Sequence, residues 1–394
     1  MPELDGRSIY FIGIGGAGLS GYALLAHAWG AETAGWDRRE TPYLAPVRDA
    51  GIPVTISEEP KPPKGSEVVV SSAYSFPGRS RADFLAELVS LRPSLVVAGA
   101  HGKTTTAGMI AFCLDRLGHD PAFVIGGEIP QLGGNAGTGS GRLVVEGDES
   151  DRTIASLKPE IAVVTNLDLD HHTTFSSRAE LEGLFEDWLT RVPKVVRGDE
   201  LEPAAIELVL PGLHNRRNAA CALAALELVG IPQQEAAPLL SDFHGARRRF
   251  ERRGEASGVI VYDEYAHHPT EVAAALAAAR EAGSSGRLLV AFQPHLFSRT
   301  RHFSWEFADA LAGADVACVT DVYAAREDPV EGVTGKLVVD SLSEARPGMP
   351  IGWTPGLEDA ARFLATRAEA GDLVLIVGAG DVDEVAGRVL ELLG

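Results

Sequence analysis

Ser94-Leu-Val-Val-Ala-Gly-Ala-His-Gly-Lys-Thr-Thr-Thr106 is the stretch whose reading decides the fold. Residues 95–98 form an unbroken apolar run and read as a buried strand, Gly99 and Gly102 mark a turn, and a helix is expected to begin near Lys103. That order makes a phosphate site. Two glycines let backbone N–H groups converge on an anion, and the helix start adds partial positive charge. Lys103 adds a full charge, and a threonine hydroxyl can hold Mg2+. The longer phosphate-loop pattern would want a glycine at Val97, so the motif present is the shorter G-x-x-G-K-T. A plain strand-to-helix turn with an exposed lysine is the competing reading.

Upstream, residues 7–12 read as a short apolar strand, followed by Gly13-Ile-Gly-Gly-Ala-Gly18 and an apolar-periodic helix through Trp29. This is G-x-G-x-x-G in its proper context, and Asp37 closes the next strand at the spacing expected of a ribose-binding acid. Taken literally the pattern indicates NAD or FAD. The geometry requires only a diphosphate at a helix N-terminus, which a uridine diphosphate satisfies equally. A strand over 67–72 and a helix over 80–91 complete a first block, and Arg92-Pro93 reads as a linker. Two phosphate loops in tandem argue against a single dehydrogenase and for two nucleotide-type ligands.

Downstream, strands are expected at 122–125 and 142–146, with the glycine-rich 133–141 as a loop between them. The second ends in Glu146-Gly-Asp-Glu-Ser-Asp151, and a strand over 161–166 leads to Asp168, Asp170, His171 and His172. Ligands of a parallel sheet lie beyond the carboxyl ends of its strands, so these clusters should meet the phosphate loop, where carboxylates and an imidazole can hold Mg2+. A helix over 180–189 precedes a short irregular segment, 192–210. Leu210-Pro-Gly-Leu-His-Asn-Arg-Arg-Asn218 then leads into an alanine-rich helix over 219–229. Asn215 and Asn218 either cap that helix or touch a base or ribose. In the last third, strands over 259–262, 287–292, 315–320 and 373–377 each finish in a polar motif. Those motifs carry Asp263, His267 and His268, then His295 and Arg299, then Asp321, then Asp381. That pattern is another open α/β sheet with one working edge.

The chain has 394 residues, enough for two or three domains, and its 35 basic against 55 acidic residues give a net charge of −20. Such a field repels a nucleic-acid backbone, so no nucleic-acid partner is expected. Cys113, Cys221 and Cys318 are far apart in apolar runs, as buried thiols of a reducing cytoplasm would be. No apolar run reaches a membrane-spanning length of about 20 residues. Met-Pro-Glu-Leu-Asp lacks the basic start of a signal peptide, so a cytoplasmic protein without membrane insertion is expected.

In order and spacing these motifs resemble the Mur ligases, and among them the members that join L-alanine to UDP-N-acetylmuramate. The resemblance rests on Gly-Ile-Gly-Gly-Ala-Gly-Leu-Ser at 13–20, Gly-Ala-His-Gly-Lys-Thr-Thr-Thr at 99–106, Glu-Gly-Asp-Glu-Ser-Asp at 146–151 and His-Asn-Arg-Arg-Asn at 214–218. It also rests on Arg-Arg-Arg-Phe at 247–250, Tyr-Ala-His-His-Pro-Thr-Glu at 265–271, Phe-Gln-Pro-His at 292–295 and Gly-Ala-Gly-Asp at 378–381. It implies three open α/β domains: a Rossmann-like UDP-sugar domain over 1–93, a shortened central phosphate-loop ATPase domain over 94–242, and a Rossmann-like C-terminal domain over 243–394 that brings the amino acid. The implied reaction is ATP-dependent amide formation through an acyl phosphate, in peptidoglycan precursor synthesis.

By the family pattern Lys103, His267, His295 and Arg299 are catalytic, and Gly99, Gly102, Lys103, Thr104, Thr105, Asn218, Arg248 and Asp263 bind ATP. Gly15, Gly16, Ala17, Gly18, Asp37, Ser72 and His101 bind the UDP-sugar, and Thr104, Glu146 and His171 hold Mg2+. A homodimer is compatible with the pattern. Three departures stand out. Asp170-His-His-Thr173 lacks the second carboxylate of the usual Asp-His-Met-Asp, Leu296 stands where an arginine commonly follows Phe-Gln-Pro-His, and residues 192–210 replace several tens of residues. Two alternatives therefore stay open: a ligase that adds a recycled murein peptide to the same sugar nucleotide, and a nucleotide-binding homologue without ligation. An NAD-dependent oxidoreductase is disfavoured by the second phosphate loop.

Overall fold

The computed structural model describes residues 3–149, 151–168, 174–175, 177–283, 286–325 and 327–394. Three sheets carry the chain. In the first, five parallel strands stand in the order Val54–Ile56, Glu32–Asp37, Ser8–Ile12, Glu67–Val70 and Arg79–Ser80. The second runs Lys194–Arg197, Ile161–Val164, Ser94–Ala98, Leu143–Glu146, Ala122–Ile129 and Gly134–Thr138, parallel except for the last pair. The third runs Glu251–Ala256, Val259–Glu264, Leu373–Val377, Leu288–Phe292, Val316–Val319 and Ile351–Trp353, with only its first strand antiparallel.

The central strands are almost wholly apolar, as strands covered on both faces are. Ser94–Ala98 and Leu373–Val377 are buried at every residue. The chain divides into two compact units, one holding residues up to Leu208 with Arg216–Ala246, the other Val209–Asn215 with Arg247–Gly394. The first two sheets share the first unit. Helix Ala17–Ala28 packs on the hairpin strands Ala122–Ile129 and Gly134–Thr138, so the end of the first glycine loop sits against the second sheet. Asn135 Nδ2 donates to the Ala17 carbonyl oxygen at 2.8 Å across that join. The Arg92 linker is likewise tied to both sides: its guanidinium lies 4.3 Å over the Trp29 ring, pairs with Glu3 at 2.6 Å, and donates to the Gly139 carbonyl.

Three segments differ from the sequence reading. The glycine-rich 133–141 contains a strand, Gly134–Thr138, pairing antiparallel with Ala122–Ile129. Residues 192–210 are not wholly irregular, since Lys194–Arg197 adds an edge strand beside Ile161–Val164. The helix expected at 219–229 spans Leu213–Leu228 and so includes the His-Asn-Arg-Arg-Asn motif. No helix among the described residues is long and apolar enough to cross a membrane.

Candidate active site

In the first unit the phosphate loop joins the buried strand Ser94–Ala98 to helix Lys103–Arg116, whose N-terminus no side chain caps. Its first N–H groups therefore point at whatever occupies the loop. Gly102 has φ +80°, and a Cβ there would stand 2.2 Å from Asn218 Oδ1, so both the turn and the close approach of Asn218 require glycine. Gly99, at φ +129°, packs as tightly against Thr165 Oγ1. Asn166 braces the turn: its Oδ1 accepts from His101 N at 3.0 Å and its Nδ2 donates to His101 O at 2.8 Å. The His101 ring faces Asp168, with Nε2 3.5 Å from Oδ2.

Lys103 Nζ donates to the Gly99 carbonyl at 2.6 Å and to both oxygens of Glu149 at 2.9 and 3.0 Å. Burial by itself would lower the pKa of Lys103, but the carboxylates of Glu149, Glu146 and Asp148 outweigh it and hold the ammonium charged. One residue along, Thr104 Oγ1 lies 3.1 and 3.0 Å from the two oxygens of Glu146, and Gly126 N donates to that carboxylate at 2.6 Å. A hydroxyl and a carboxylate converging at an uncapped helix start form an oxygen set suited to Mg2+ beside a phosphate, so the residues present fit a magnesium nucleotide. Thr105 is buried in the same helical turn. His171, the third expected metal ligand, lies outside the described residues, as does Thr173.

The first glycine loop, in the same unit, is organised by Asp37. The buried Asp37 carboxylate accepts from Gly15 N at 2.8 Å, from Arg38 N at 2.7 Å and from the Tyr74 hydroxyl at 2.8 Å. Thr41 Oγ1 donates to the Gly15 carbonyl at 2.7 Å and closes the far side. Asp37 thus holds the loop in shape, and the Gly15 N–H is already committed. Gly16 N donates in turn to the Gly13 carbonyl at 3.1 Å, which leaves the N–H groups of Ala17 and Gly18, at the uncapped start of helix Ala17–Ala28, to meet an anion beside Gly16. Ser72 follows strand Glu67–Val70 at the same sheet edge.

In the second unit the expected residues gather at the carboxyl ends of adjacent strands. Arg248, at φ +58°, donates to the Gly380 and Gly378 carbonyls at 2.8 and 2.7 Å and reaches Asp263 Oδ2 at 3.3 Å. Asp263 is fully buried, which pushes its pKa up to about 6, and its Oδ1 has no hydrogen-bond partner among the described residues. The neighbouring Glu264 is pushed up to about 7 by burial and accepts from Phe250 N at 2.8 Å. The His267 and His295 rings lie 5.7 Å apart edge to face, Arg299 Nη1 is 3.3 Å from His295 Nδ1, and Tyr323 stacks on His295 at 5.9 Å. His268 instead caps helix Pro269–Glu281, in a capping box with Glu271. Leu296 sits at φ +69°, ψ 135°, a strained setting for a side chain at the rim of this cluster.

Sequence reasoning missed Glu149, Tyr74 and Tyr323. Glu149 stood in a quoted acidic motif, where its spacing of three from Glu146 was the available signal; Tyr323 stood in the polar motif that follows the strand over 315–320, and Tyr74 gave none.

The Mur ligase family catalytic domain matches residues 8–92, the Mur ligase middle domain 97–193, and the Mur ligase glutamate ligase domain 248–380. The chain is 38% identical to a UDP-N-acetylmuramate–L-alanine ligase of Streptomyces griseus, with 98% of this chain and 97% of the relative covered. It is 37% identical to the protein of that name from Thermobifida fusca, over 98% and 96%. The crystal structure of a UDP-N-acetylmuramate-alanine ligase from Thermotoga maritima superposes with a TM-score of 0.82 at 26% identity, covering 98% of each chain. The match to the Streptomyces protein runs over 455 positions against 394 residues here, so that relative carries residues without counterpart in this chain. The middle-domain match ends at residue 193, where the short segment begins.

Proposed function

The chain belongs to the Mur ligase family, and from that premise we propose that it joins the amine of L-alanine to the carboxylate of UDP-N-acetylmuramate, driven by ATP, in assembly of the cell-wall peptide precursor in the cytoplasm. The observation that carries the reading is 38% identity sustained over 98% of the chain with a relative of that name.

A carboxylate resists attack by an amine at neutral pH, so it must first acquire a leaving group. Transfer of the terminal phosphoryl of ATP to a carboxylate oxygen gives an acyl phosphate. The alanine nitrogen then attacks the acyl carbon, phosphate leaves, the nitrogen loses a proton, and an amide remains with ADP. Phosphoryl transfer depends chiefly on positioning and charge neutralisation. Lys103 and the N–H groups of Gly102 to Thr104 supply both for the β- and γ-phosphates. Thr104 and Glu146, with His171, would hold Mg2+, which offsets charge on the phosphates when bound. Asn218 against Gly102, and Arg248 beside the orphaned acceptor of Asp263, suit contacts to the nucleotide. His267, His295 and Arg299 supply an imidazole pair and a cation for the amino acid's proton and carboxylate. Gly16 to Gly18 suit the UDP diphosphate.

Mass spectrometry of the sugar nucleotide after incubation with ATP, Mg2+ and L-alanine tests this. The expected result is UDP-N-acetylmuramate carrying one alanine. Unmodified sugar nucleotide, with a product formed only from a tripeptide, would move the assignment to the peptide-recycling activity.

A further inference from the structure

Arg81 opens helix Arg81–Leu91, where a cation opposes the helix dipole, so helix stability does not explain its place. Its two ion pairs both run through Nη2, to Asp148 Oδ2 at 3.1 Å and Asp151 Oδ2 at 2.7 Å. Nε is buried without a partner among the described residues. Nη1 lies 3.6 Å from the point where a Cβ on Gly18 would stand, beside the uncapped start of helix Ala17–Ala28. One edge of the guanidinium thus faces the first glycine loop, and the other is fastened to an acidic turn of the second sheet.

That turn continues to the phosphate loop. Asp148 and Asp151 flank Glu149, whose carboxylate holds Lys103 Nζ at 2.9 and 3.0 Å. Glu146, just before them, meets Thr104. The series Gly18, Arg81, Asp148 with Asp151, Glu149, Lys103 therefore joins the two anion sites within a single compact unit, by the approach of Arg81 to Gly18, the ion pairs at Arg81 and Lys103, and the backbone between Asp148 and Glu149. A planar guanidinium can serve both ends at once, because its N–H groups fork in fixed directions.

We propose that Arg81 is a positioning residue that couples the two nucleotide sites: a diphosphate at Gly16 to Gly18 fixes Nη1, the fixed guanidinium holds Asp148 and Asp151, and these set Glu149 and Lys103 for the ATP phosphates. The proposal rests on the reading of the first loop as the UDP-sugar site. Coupling of this kind is reciprocal, so each ligand tightens the other by the same factor.

The test is calorimetric titration of a non-hydrolysable ATP analogue with Mg2+ into the full chain, with and without saturating UDP-N-acetylmuramate. For the wild type the sugar nucleotide is expected to tighten the analogue by about five-fold or more. Arg81→Met and Asp151→Asn should bring that ratio to about one, while Arg81→Lys, a point charge without the fork, keeps part of it. Arg81→Met should also weaken the sugar nucleotide alone, whereas Asp151→Asn should not, a split that a merely structural role would not produce. A wild type without coupling, or an Arg81→Met protein that retains the full ratio, overturns the proposal. A wild type that binds no UDP-N-acetylmuramate overturns the reading of the first loop and the coupling with it.

Discussion

Lys103 Nζ lies 2.9 and 3.0 Å from the two oxygens of the buried Glu149 carboxylate, so the cation suited to a nucleotide phosphate is already held by an internal acid. An incoming phosphate meets a lysine that Glu149 keeps charged and in place. Neutralising Glu149 leaves a largely buried ammonium without its main counter-ion, which costs on the order of 3 kcal/mol. Glu149→Gln should therefore melt several degrees lower without ligand, and ATP with Mg2+ should raise its melting temperature less than that of the wild type. Equal ATP-induced shifts in the two proteins would show that Glu149 does not position Lys103 for the phosphates.

The loop around Lys103 tolerates little. Gly102→Ala adds a Cβ at φ +80° and 2.2 Å from Asn218 Oδ1. Strain of about 1–3 kcal/mol joins the displacement of Asn218. ATP affinity should fall by about ten-fold or more, with UDP-sugar binding retained, as read by titration of each ligand separately. Unchanged ATP affinity would mean that the nucleotide does not use this turn.

Asp37 gives a contrasting expectation for the first loop. A carboxylate that shapes the loop should matter even without ligand, whereas one that only contacts ribose should not. Asp37→Ala leaves the Gly15 N–H and the Tyr74 hydroxyl without their acceptor. The cost is about 1–3 kcal/mol. Both the thermal midpoint of the ligand-free protein and the UDP-sugar affinity should drop. Loss of affinity with an unaltered midpoint would return Asp37 to a direct ligand role.

The second unit carries a pH signature. Burial raises Glu264 to about 7 and Asp263 to about 6 in the folded chain. Each then binds a proton more tightly folded than unfolded, so their contribution is fully present at low pH, falls as pH rises past the ordinary carboxylate range, and is lost above the folded values. Thermal midpoints of the wild type and Glu264→Gln, compared at about pH 5 and about pH 8, should show the variant losing less stability on going to the higher pH. Parallel losses would remove Glu264 as a source of the dependence.

Much of this was legible from the chain because the informative features are local. A buried strand, a glycine turn and a hydroxyl-rich helix start occupy consecutive residues at 94–106, and strand ends in a parallel sheet face one edge. What escaped reading depends on partners far along the chain. Gly134–Thr138 has a loop's composition and becomes a strand because Ala122–Ile129 offers it a ladder. Lys194–Arg197 is too short and too charged to announce itself as an edge strand. Asp37 matched a ribose-binding pattern, yet its carboxylate turns back to the loop because Gly15, Arg38 and Tyr74 all donate to it. Arg81 sits at the start of the helix read over 80–91, and only the fold brings it to Asp148 and Asp151.

Phosphate release from ATP in the presence of UDP-N-acetylmuramate, measured with and without L-alanine, tests the central claim most directly. The account predicts turnover that requires both the sugar nucleotide and L-alanine. Turnover with a murein tripeptide and none with L-alanine, or no turnover with either, would contradict it.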